Sequence, residues 1–80
     1  MKVTVNALLQ DIISKGAPPV SARVDACEII LAHGYESKAD AVAFLFEVAA
    51  GQNPNADLTT RMRAIRVLVA NKLETFEVVE

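Results

Sequence analysis

Along most of the chain, apolar residues recur every three to four positions, the spacing that lines one face of an α-helix. Val20, Val24, Cys27, Ile30 and Leu31 form one such stripe; Leu58, Met62, Ile65, Leu68 and Val69 form another. Glycines fall where these patterns stop: Gly16 after residues 8–15, Gly34 after residues 20–33 and Gly51 after residues 41–50. Each is placed to adopt the left-handed conformation that ends a helix. Asn71 is assigned the same part after the fourth pattern. Start signals agree with the stops. Ser37 with Asp40 three residues on reads as a capping box, Asp57 as an N-cap before Leu58, and Pro18 and Pro19 suit a first helical turn. The pattern predicts helices at 4–15, 19–33, 37–50 and 57–71.

The four helices read as two copies of one unit. Asn6-Ala7-Leu8-Leu9-Gln10-Asp11-Ile12-Ile13 returns in outline as Val42-Ala43-Phe44-Leu45-Phe46-Glu47-Val48-Ala49, offset by 36 residues. Val20-Ser21-Ala22-Arg23-Val24-Asp25-Ala26 returns as Leu58-Thr59-Thr60-Arg61-Met62-Arg63-Ala64, offset by 38. A period of this size marks stacked helical hairpins, each of which leans on the next to bury its apolar face. The expected fold is all-α: a single four-helix domain over residues 1–72, built from hairpins at 4–34 and 37–72. Residues 73–80 form an acidic tail, in which Thr75, Phe76, Val78 and Val79 are β-formers interrupted by Glu74, Glu77 and Glu80. The tail reads as a frayed end or as a segment that pairs with another subunit or docks Phe76.

The third helix is apolar nearly all round. Phe44, Leu45 and Val48 are expected to face the core, leaving Val42, Phe46 and Ala49 to line an enclosed second side or a contact patch. Polar Gln10 stands at the position of Phe46 in the first copy, which makes Phe46 the first choice for an interface residue. The outer faces differ in sign: Asp25 and Glu28 on the second helix correspond to Arg63 and Arg66 on the fourth. These are solvated faces, or else complementary surfaces between neighbouring copies, isologous in a dimer or heterologous in a ring.

Composition narrows the chemistry. Slightly over half of the 80 residues are apolar and Trp is absent, so the core is aliphatic, and a surplus of this kind in a small domain suits a subunit contact. The formal charge is −2, shared equally by the halves, which argues against a dedicated polyanion binder. Cys27 is the sole cysteine and reads as a small buried hydrophobe, excluding an internal disulfide and a thiolate metal cluster. His33 is the sole histidine, with no second ligand at metal spacing. There is no Gly-rich phosphate loop, no membrane-length apolar run and no signal-peptide pattern in the first residues, so a cytoplasmic, non-catalytic protein without cofactor or metal is expected.

Arg23 and Arg61 fall at the edges of the two stripes, where their stems can pack while the guanidinium reaches a carboxylate or a helix end. The repeated acids Asp11 and Glu47 are their candidate partners, in a structural role. Arg61, Arg63, Arg66 and Lys72 make the fourth helix locally basic, with no recognition turn or aromatic platform beside them.

A helix, the Asn53-Pro54 loop, the run Asp57-Leu58-Thr59-Thr60-Arg61-Met62-Arg63-Ala64 and then Asn71-Lys72-Leu73 follow one another in the second half. Over residues 41–73 this series resembles short helical proteins encoded near the DNA-packaging genes of tailed bacteriophages, the small-terminase-like group. The resemblance implies an oligomerising helical unit of phage origin. The separate DNA-binding module usual in such subunits is not read in this sequence. The expected function is protein–protein assembly, with a protein partner or itself, in the host cytoplasm or the virion. Val42, Phe46, Arg63, Arg66 and Phe76 are the expected contact residues. Nucleic-acid or DNA-packaging accessory binding through the fourth helix is the alternative.

Overall fold

A computed structural model describes residues 3–14 and 19–73. Four helices follow in order, α1 (Val5–Ser14), α2 (Val20–His33), α3 (Lys38–Ala49) and α4 (Leu58–Ala70), within a residue or two of the pattern-derived bounds, and no strand occurs among the described residues. Gly16 and Pro18, and the tail with Phe76, lie outside those residues.

The helices stop by one shared device. After α2, Gly34 is left-handed (φ 67°) and the Tyr35 N–H donates back to the Ile30 carbonyl at 3.2 Å. After α3, Gly51 takes φ 79° and the Gln52 N–H reaches the Glu47 carbonyl at 3.1 Å. Both reversals satisfy carbonyls that a helix end leaves without partners. After α4 the left-handed residue is Lys72 (φ 60°) rather than Asn71, which stays near φ −101°. The Asn71 side-chain amide donates to the Val67 carbonyl at 2.8 Å, which holds it on the last turn, and the reversal falls one residue later. Leu73 then donates to the Leu68 carbonyl at 2.8 Å and packs on the core.

At the starts, Asp57 caps α4 as expected, its Oδ1 accepting from the Thr60 N–H at 2.8 Å. Ser37 does not close a box with Asp40. Its hydroxyl donates instead to Oδ1 of Asn6 at 2.6 Å, and its N–H to the same atom at 3.3 Å. Ser37 is buried, so the hydroxyl is committed to tying the start of α3 to the start of α1.

The core is the aliphatic one the composition predicts: Leu9 and Ile13 of α1, six residues of α2, Ala41, Phe44, Leu45 and Val48 of α3, and Ala64, Val67 and Leu68 of α4. Helix α2 is the hub, packing on α1, α3 and α4, while α3 and α4 pair as the second hairpin. Helix α3 is thereby covered on two sides, which is why it is apolar nearly all round. Val42, Phe46 and Ala49 are half-buried against the core.

Candidate interaction surface

Helix α4 carries two apolar faces, and the inward one is not the stripe that its periodicity suggests. Ala64, Val67 and Leu68 are buried, whereas Leu58 is 72% exposed, Met62 41%, Ile65 36% and Val69 56%. Positions 58, 62, 65 and 69 advance by four, three and four residues, so they form one straight row on the outer side. Leu68 alone of the expected stripe is buried. Four large apolar side chains in one exposed row make this face a candidate contact surface.

Of the expected contact residues, Phe46 and Val42 are half-buried and pack against the core, on the enclosed second side of α3. Arg63 lies on the flank of α4 and meets Asp25 of α2 at 3.4 Å, both side chains about half exposed. The acid and the arginine that occupy equivalent places in the two repeats therefore pair within the chain. Arg66 is exposed one turn further along and makes no ion pair within 4.0 Å among the described residues.

The other two arginines take the second of their two expected acceptors, a helix end rather than a carboxylate. Arg23 Nε and Nη2 donate to the Ile13 carbonyl at 2.9 and 2.5 Å, and its guanidinium lies 4.2 Å from the centre of the Phe44 ring. Arg61 Nε and Nη2 donate to the Ala49 carbonyl at 3.4 and 3.3 Å. In each hairpin the second helix thus clamps the last turn of the first, where the helix dipole favours a cation. Neither Asp11 nor Glu47 takes the guanidinium; Glu47 instead accepts from the Asn53 side-chain amide at 3.4 Å. Gly51 is part of the second clamp, since a Cβ there would stand 3.0 Å from Arg61 Cζ.

The remaining candidates for chemistry are dispersed. Cys27 is fully buried, and that burial pushes its thiol from 9.0 to about 12 despite the opposing charge of Arg23. His33 is exposed and its ring lies 5.8 Å from that of Tyr35. An open depression of about 390 Å³ at the start of α1 is lined by Thr4, Val5, Asn6, Gly34, Tyr35 and Glu36, with no nucleophile–base pair in it. Among the described residues no group of His, Cys, Asp and Glu is placed to hold a metal ion, and no helix is long and apolar enough to cross a membrane.

Compared with protein-family models, curated proteins and solved structures, the chain matches none. The surfaces themselves carry the functional argument.

Proposed function

We propose that this chain is a non-catalytic assembly module whose working surface is the outer row of α4. The observation that carries it is the exposed line of Leu58, Met62, Ile65 and Val69. Burying such a row supplies affinity, while Arg63 and Arg66 beside it set orientation at a polar rim. A phage-encoded setting, which the likeness of residues 41–73 to small-terminase-like proteins implies, is part of this proposal.

The nucleic-acid alternative draws on the same helix with less in hand. Arg61 is turned to the Ala49 carbonyl and Arg63 is partnered by Asp25, which leaves Arg66 and Lys72 as the cations of α4 and its end to face phosphates. Two such contacts give weak binding with a shallow salt dependence.

The test is hydrodynamic mass of the chain and of Ile65→Glu, alone and with candidate partners, beside a titration of duplex DNA at about 50 and about 200 mM salt. Assembly through α4 predicts an association that Ile65→Glu abolishes while the circular dichroism of the fold stays the same. A protein that stays monomeric and binds duplex with affinity falling steeply in salt would overturn the reading.

A further inference from the structure

Among the described residues, seven of the eight large apolar residues that stand exposed have a repeat-equivalent that is buried. On α4, Leu58, Met62, Ile65 and Val69 correspond to Val20, Val24, Cys27 and Leu31 of α2, all buried. On α1, Val5 and Leu8 (each 53% exposed) correspond to Ala41 and Phe44 of α3, both buried. Ile29 of α2 corresponds to Val67 of α4, also buried. Only Val3 lacks such a counterpart. The reason is positional. The second hairpin covers the face of α2 and hides its own α3 face in doing so, whereas among the described residues no helix packs on the outer row of α4 or on the Val5 and Leu8 side of α1.

We infer that the occupant of the α4 row is a second copy of this chain, stacked head to tail, with its α1 and the Ile29 side of its α2 against α4 as α3 and α4 sit on α2 within the chain. The inference rests on the proposed assembly role and names the partner in it.

Charge supports it independently. Within the chain, Asp25 of α2 meets Arg63 of α4 at 3.4 Å. In the stack, α4 of one copy stands in the place of α2 and α2 of the next copy in the place of α4. Arg63 then meets Asp25 of the next copy, as it meets Asp25 within the chain. The row alternates in sign through every junction. Had both hairpins carried the same outer charges, each junction would set like charges together. The inversion between Asp25 and Arg63 lets the same pair form at every junction.

The two end faces together present on the order of 600 Å² of exposed apolar side chain, and the polar rims bring the contact to the small end of specific interfaces. An interface of this area class is a weak contact, so association is sought at high chain concentration. A contact of this kind is heterologous, so it grows beyond two copies unless the rotation closes a ring.

The experiment is sedimentation velocity of the full chain from about 10 µM to about 1 mM, with two face-blocked variants, Ile65→Glu on α4 and Leu8→Glu on α1. Both sites are solvent-exposed, and circular dichroism of each variant verifies the fold. The expected result is wild-type mass rising past that of a dimer, each variant monomeric, and an equimolar mixture forming a one-to-one dimer that grows no further, because the good α4 face of one meets the good α1 face of the other. Wild-type chain that remains monomeric at about 1 mM overturns the inference, as does a mixture that stays monomeric. Association lost in Ile65→Glu but intact in Leu8→Glu overturns head-to-tail stacking and keeps the α4 docking reading. Association unaffected by Ile65→Glu removes both.

Discussion

Replacing Arg23 by Met should destabilise the fold more than the equivalent replacement of Arg61, although the two arginines occupy the same place in their hairpins. Met keeps much of the aliphatic stem and removes the donors, so packing loss is small. At Arg23 the change deletes two N–H donors to the Ile13 carbonyl at 2.9 and 2.5 Å and a guanidinium 4.2 Å from the Phe44 ring centre. A charge-assisted hydrogen bond in a half-buried setting contributes about 1.5–2 kcal/mol, and a partly exposed cation–π contact about 0.5–1 kcal/mol. The expected loss is about 2–3 kcal/mol. At Arg61 the donors stand at 3.4 and 3.3 Å from the Ala49 carbonyl, near the limit of useful geometry. That contact contributes about 0.5–1 kcal/mol. For a domain of this size each kcal/mol moves Tm by roughly 4–8 °C, so Arg23→Met should lower Tm by about 10 °C or more and Arg61→Met by about 5 °C. Urea and thermal unfolding followed by helical circular dichroism at neutral pH measure both. Equal losses at the two sites, or a larger loss at Arg61, would refute the assignment of unequal clamps.

Other outcomes follow from local geometry. Gly34→Ala should cost about 1–2 kcal/mol from left-handed strain alone, since φ is 67° and nothing lies within 4 Å of the new Cβ. Gly51→Ala should cost more in the same unfolding assay, because φ is 79° and the Cβ would meet Arg61 Cζ at 3.0 Å. Asp57→Ala should lower Tm by several degrees through loss of the Thr60 cap. The Asp57 carboxyl is held below its usual 3.8 chiefly by the Thr60 N–H, so its stabilisation is present above pH 3.8 and lost as pH falls below that value, a slope Asp57→Asn should remove. Cys27 titrates the opposite way. Its pKa is raised from 9.0 to about 12 by burial, so stability is full below pH 9.0 and declines by up to about 1.4 kcal/mol per pH unit towards about pH 12. Cys27→Ala should flatten the chain's alkaline loss relative to wild type.

Much of the fold was written in local signals. Gly34, Gly51 and Asp57 mark helix ends by backbone conformation and capping, which depend on a few neighbours, and their helices lie where those signals put them. The α2 stripe was legible because α2 packs on all three other helices, so Val20, Val24, Cys27, Ile30 and Leu31 are all buried. Ser37 and Arg23 were harder. Their residue types fit a local cap and a nearby acid, yet their acceptors, Asn6 and the Ile13 carbonyl, come from tertiary packing. The two readings of Phe46, enclosed side or contact patch, stayed open in the sequence for the same reason, since only the position of α3 between two helices decides how much of an apolar helix is covered.

The misassigned face of α4 points furthest. A helical wheel locates apolar rows and carries no information on which row is inside, and α4 has two, about a third of a turn apart. The equivalence of α4 with α2 favoured the row of Leu58, Met62, Ile65 and Val69, because Val20, Val24, Cys27 and Leu31 are core residues. That equivalence holds in composition but not in surroundings. A repeated sequence specifies the same surfaces twice, whereas two stacked hairpins can bury each kind of inter-repeat face only once. The apolar character of the outer α4 row is therefore not accounted for by the stability of the single chain. The same holds for Leu8, whose counterpart Phe44 is buried. Opposite ends of the molecule thus retain two halves of an interface that the chain already forms once internally, and their outer charges are inverted in the sense that lets it form again.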